Sequence, residues 1–114
     1  MNILTILKII IAVGTIGTGL LALLKPNSID GFTGIKATGP RGVTEIRAIF
    51  GGLFIGLGAA AILLNAPAAC QMLGIAYGAI AVVRIPAMFL DHSVENSNII
   101  STVIEVVFAV ILVL

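Results

Sequence analysis

Apolar residues in this chain fall into four long runs, separated by short clusters of Pro, Gly, Asn and charged residues. The pattern predicts a first helix over residues 3–24, ended by Lys25 and Pro26, and a second over 44–64, closed by Asn65-Ala66-Pro67. A third is expected over 68–90, ending at Asp91-His92, and a fourth over 97–114. Each run is close to the roughly 17–25 residues a helix needs to cross a hydrocarbon core. The expected fold class is all-α, an integral membrane bundle of four transmembrane helices forming one domain over 1–114. The first run is too long for a signal-peptide core, carries Lys8, and is followed by no small-residue cleavage pattern. It reads as a retained span.

The connections set the order of neighbours. Asn65-Ala66-Pro67 is so tight that the second and third helices are expected to be antiparallel neighbours, and the short segment 91–96 pairs the third with the fourth. Only the connection 25–43 is long. It carries Pro26, Pro40 and glycines at 31, 34, 39 and 42, and should hold one turn of helix around Asn27–Phe32 with Gly34 as its stop. Its glycines give it freedom to move, as a lid would need, but a plain connector is the favoured reading. Lys25, Lys36 and Arg41 all lie in this connection, whereas Lys8 is the only basic residue near the opposite side. An excess of Lys and Arg marks the cytoplasmic face. The expected placement is therefore multi-pass in the inner cell membrane, with both termini on the non-cytoplasmic side.

Composition identifies the solvent. The chain has 114 residues, 60% of them hydrophobic and only 10% charged, and a mean hydropathy of +1.25. Soluble domains average about 25% charged residues. A short soluble chain has no room to hide so much apolar surface, so the lipid bilayer is the first partner. The six Lys and Arg residues are scattered and the net charge is +1, which excludes a nucleic-acid footprint. A single cysteine, Cys70, excludes an intrachain disulfide and a cysteine-based metal site, and it reads as a small apolar residue at a helix start.

The exceptions to this apolar pattern are the candidate chemistry. Glu45, Arg47, Arg84 and Glu105 sit inside the apolar runs, where a charge costs roughly 2.5–3.5 kcal/mol on insertion scales. Arg84 lies roughly 9 Å from the end of its helix at 1.5 Å per residue, and Glu105 roughly 12 Å from the same side. Glu45 and Arg47 open the second helix on that side. The matched depths predict that Arg84 faces Glu105, with Glu45 or Arg47 completing the cluster. The two cannot both do so on one face, because they are about 200° apart around an α-helix. Helical spacing places Asn98, Ser101, Thr102 and Ala109 beside Glu105, and Tyr77, Ala81, Met88 and Asp91 beside Arg84. Val106, Val107 and Val110 point elsewhere. These semi-polar stripes predict a pocket lined by Glu45 or Arg47, Arg84, Glu105 and Asn98, with Tyr77, Asp91 and Thr102 near it. Pro86 frees the carbonyl of Val82 and is expected to bend the third helix beside Arg84.

Small residues carry a different meaning. The first helix aligns Lys8, Ala12, Thr15, Gly19 and Ala22, and the second aligns Ala48, Gly52, Gly56 and Ala59. Gly52-x-x-x-Gly56 lets backbones approach, either within the chain, the favoured reading, or in a homo-oligomer. Gly17-Thr-Gly19-Leu-Leu-Ala22 imitates a dinucleotide fingerprint, but it lies mid-helix with no preceding strand.

The segment Gly42-Val-Thr-Glu45-Ile-Arg47-Ala-Ile-Phe-Gly51-Gly52-Leu-Phe-Ile-Gly56-Leu-Gly58 resembles the core motif of a group of small bacterial membrane proteins, domain of unknown function 4345. The likeness extends to Arg84, an acidic turn and Glu105, and so over nearly the whole chain. It implies four spanning helices, groups Glu45, Arg47, Arg84 and Glu105 as a set, and supplies no activity, substrate or cofactor. A small multidrug exporter has similar length, but its functional carboxylate is in the first helix, where this chain has only Lys8.

Three function classes follow. In the first, the charges hold the bundle of a structural or accessory membrane protein. In the second, the cluster binds or transports a small polar molecule, a lipid headgroup or a proton. The third, an enzyme using Glu105 or Glu45 as acid or base, finds no intramembrane His or Cys and no metal-ligand spacing to support it. The lack of intramembrane His also argues against a bis-imidazole haem, so no cofactor is expected. His92 is expected in a solvated loop.

Overall fold

A computed structural model describes residues 1–114. The protein is all-α. Helix α1 spans Ile3–Leu24, a 3-10 turn covers Pro26–Ser28, and α2 is the short helix Asp30–Thr33. The long helices that follow are α3 (Pro40–Leu63), α4 (Pro67–Leu90) and α5 (Asn96–Val113). Helices α1, α3, α4 and α5 are each long and apolar enough to cross a membrane.

The helix ends follow local chemistry. The Asn2 side chain accepts the Thr5 N–H at 2.9 Å and caps α1. Pro40 and Pro67 stand at the starts of α3 and α4, where a missing N–H costs nothing. Helix α3 therefore begins at Pro40, ahead of residue 44, where its apolar run begins. Gly34, with φ 74°, ends α2, and its N–H bonds the Asp30 carbonyl. His92 takes φ 53°, and the Ser93 N–H reaches back to the Met88 carbonyl at 2.9 Å, a left-handed cap that closes α4. Pro86 lies within α4, which runs through it unbroken from Pro67 to Leu90.

The chain divides into two compact units, residues 9–64 and residues 65–114 together with 1–8. In the first, α1 and α3 run antiparallel. Helix α1 buries Ile11, Ala12, Thr15, Gly19 and Ala22, steps of three and four that keep one face inward. A Cβ on Gly58 would come within 2.7 Å of the Ala12 carbonyl oxygen, and one on Gly19 within 2.7 Å of the Gly51 carbonyl oxygen. The two backbones touch at these points, and only glycine fits.

The inward face of α3 differs from the expected stripe. Gly52 and Gly56 are exposed, and a Cβ at either would meet nothing within 4 Å. The buried positions are Ile46, Gly51, Gly58 and Ala61. The reason is that residues Ile46–Leu53 form a π-helix, with hydrogen bonds spanning five residues instead of four. The inward stripe therefore steps by five from Ile46 to Gly51 before regaining the α period. A stripe read at 3.6 residues per turn slides onto the wrong glycines.

Connector residues complete this unit. Pro26 and Ile29 are buried, and Ile29 joins Ala22 and Ile46 in a small core with Ala37 and Phe50 against it. The long connection is thus tied to both helices that it joins.

In the second unit α4 and α5 form an antiparallel hairpin. A Cβ on Gly74 would lie 2.8 Å from Leu112 Cβ and 3.2 Å from the Ala109 carbonyl oxygen. Tyr77 meets Phe108 edge-on with ring centroids 5.3 Å apart. Leu73, Gly74, Ala81 and Met88 of α4 are buried, as are Glu105 and Leu112 of α5. Val106, Val107 and Val110 face outward, and so do Val82 and Val83.

Candidate functional site

The charged centre of the hairpin is built from one residue on α4 and two on α5. Arg84 donates through Nε to Glu105 Oε1 at 2.9 Å and through Nη2 to Glu105 Oε2 at 2.8 Å. This two-pronged fit matches the planar guanidinium to the planar carboxylate and fixes the rotation of both helices. Arg84 Nη1 donates to Asn98 Oδ1 at 3.0 Å. Asn98, in turn, donates through Nδ2 to the Ser93 carbonyl at 2.8 Å and to Ser93 Oγ at 3.3 Å. The Thr102 hydroxyl bonds back to the Asn98 carbonyl at 2.9 Å. No buried side-chain nitrogen or oxygen is left without a partner.

Exposure is unequal across the pair. The Glu105 side chain is 10% exposed, whereas that of Arg84 is 32% exposed and borders a shallow cavity with Ala79, Ile80 and Val83. Glu105 is thus sealed by its partner, and Arg84 keeps an open edge.

Of the residues expected from spacing, Arg84 on α4 meets Asn98 and Glu105 on α5, Ala81 and Met88 are buried on α4, and Tyr77 packs edge-on against Phe108. Asp91 lies exposed at the α4 cap.

The other two expected members belong to the unit of residues 9–64. Glu45 pairs with Arg41, one turn earlier in α3, and both side chains are more than half exposed. Arg47 is exposed. The Arg41–Glu45 pair is hidden to a reading that starts the helix at residue 44, because its i,i+4 spacing appears only once Pro40 begins the helix. Ser93 escapes the sequence reading too, since its role depends on how the turn after α4 closes and no local signal marks it.

A second set of polar residues surrounds a cavity of about 340 Å³ formed by the connector and α3. Lys36, Thr38 and Glu45 line it along with Ile35, Ile46, Ile49 and Phe50.

A family model described as domain of unknown function 4345 matches residues 3–114, essentially the whole chain. No curated protein and no solved structure matches it.

Proposed function

We propose, from the premise that this chain belongs to the domain of unknown function 4345 family, that it is a small multi-pass membrane protein of structural or accessory type. In this reading the Arg84–Glu105 pair locks the α4–α5 hairpin. The observation that carries it is mutual engagement: both Glu105 oxygens accept from Arg84, and the remaining guanidinium nitrogen donates to Asn98. Glu105 is also only 10% exposed, which leaves little of the carboxylate open to a substrate.

The test is to remove the pair as a unit. Arg84→Met with Glu105→Leu keeps volume and removes both charges, an exchange that is often neutral or stabilising in protein interiors. The double variant should unfold within about 1 kcal/mol of the parent in detergent, because packing at Gly74, Ala81 and Leu112 remains. Either single change should cost far more than the double one, because it strands a charge; single changes that cost nothing would contradict a role in holding helices.

A second reading, capture of a small polar molecule, lipid headgroup or proton, is favoured by the open edge of Arg84 beside Ala79, Ile80 and Val83. It requires Arg84 itself, so a ligand-dependent rise in melting temperature would vanish in the double variant.

The Lys and Arg excess in the connector supports an arrangement with both termini outside the cytoplasm. A reporter active only in the cytoplasm, fused after Leu114, should be silent, while the same reporter inserted at Gly34 should be active. The opposite pattern reverses the orientation.

A further inference from the structure

The cavity between the connector and α3 has features that the hairpin clamp does not explain. Its walls include Lys36, Ala37, Glu45, Ile46, Ile49 and Phe50, and its volume is about 340 Å³. Ligand pockets run from about 300 to 1,000 Å³, so this one takes a headgroup and a few adjoining carbons rather than an entire lipid. The cavity is also held open. Ile29, Ala22 and Ile46 anchor the connector on one side, and Ala37 packs close to Gly42, where a Cβ would be in ordinary contact at 3.4 Å. The π-helical turn presents both Ile46 and Ile49 to it.

The charges around it are unbalanced. Residues 25–47 contain Lys25, Lys36, Arg41 and Arg47 against Asp30 and Glu45. Glu45 is already neutralised by Arg41, which leaves the Lys36 ammonium as the uncompensated charge on the cavity wall. Opposite it lies an apolar surface, with Ile49 about half exposed at 47%. A free anion satisfies Lys36 and leaves that apolar wall wet. A neutral lipid does the reverse. An anionic amphiphile satisfies both.

We propose that this cavity binds one anionic phospholipid, its phosphate against Lys36 and the first part of an acyl chain along Ile46, Ile49 and Phe50. The position suits such a ligand, because the cavity is at the Pro40 end of a candidate span, where basic side chains meet the headgroups of an anionic leaflet.

The experiment uses the full-length protein in a neutral detergent, titrated with phosphatidylglycerol, with phosphatidylcholine, or with inorganic phosphate. Melting temperature and native mass spectrometry are the readouts. Phosphatidylglycerol should raise the melting temperature and appear as one retained lipid per chain, with the other two additives giving no comparable shift. Lys36→Glu should weaken the effect roughly tenfold or more, and Lys36→Arg should preserve it. Lys36 is exposed on the connector, so neither change disturbs a core. Equal response to phosphatidylcholine, or an unchanged response in Lys36→Glu, overturns the proposal. A matching shift with inorganic phosphate overturns it too, because the ligand is then a free anion.

Discussion

Glu105→Gln should lower the stability of the protein by roughly 3 kcal/mol, read from denaturant or thermal unfolding in detergent. The change preserves size and one acceptor oxygen, so a single Arg84 hydrogen bond survives and the loss reports charge. Two magnitudes compete here. A neutral hydrogen bond between membrane helices contributes about 0.6 kcal/mol on average and rarely more than about 1.7. Stranding one member of a buried pair costs roughly 3–5 kcal/mol. The 32% exposure of Arg84 puts the expected loss at the low end of that range, since part of the guanidinium can turn toward polar surroundings. A loss below about 1 kcal/mol would show that Arg84 escapes to the headgroups and that the pair holds nothing.

The second large effect separates neighbouring glycines of one helix. Gly58→Ala should destabilise the α1–α3 pair by about 2 kcal/mol, because its Cβ would be 2.7 Å from the Ala12 carbonyl oxygen and from Ile16 Cγ1. Backbone cannot step aside as a side-chain tip can, and overpacking of this kind costs roughly 1–3 kcal/mol. Gly52→Ala has open space on all sides. It should be neutral or stabilising by up to about 1 kcal/mol, the gain in helix propensity. Measured side by side under one set of conditions, the two variants should differ by about 2–3 kcal/mol. If Gly52→Ala were the damaging change, the inward face of α3 would follow the α period after all.

That contrast also shows where the sequence is legible. The stripe on α1 can be read because one period holds throughout: Ala12, Thr15, Gly19 and Ala22 are all buried. The corresponding stripe on α3 cannot, because no residue type announces the π-helical turn at Ile46–Leu53. The Arg84–Glu105 contact is legible from depth alone, since two isolated charges at matched distances from one short turn have few other partners. Glu45 escapes for a local reason, the hidden helix start at Pro40 that brings Arg41 within one turn of it. The burial of Ile29 against Ala22 and Ile46 is a long-range contact, invisible to spacing rules.

The clasp between α4 and α5 bears on how the protein is made. Taken singly, α4 would present an unopposed arginine to lipid and α5 an unopposed glutamate, each at a cost of roughly 2.5–3.5 kcal/mol. Joined through the short turn at residues 91–95, the two charges compensate each other within the hairpin. For a membrane-spanning chain, entering the bilayer as a paired hairpin avoids both costs, whereas entering one helix at a time incurs each in turn.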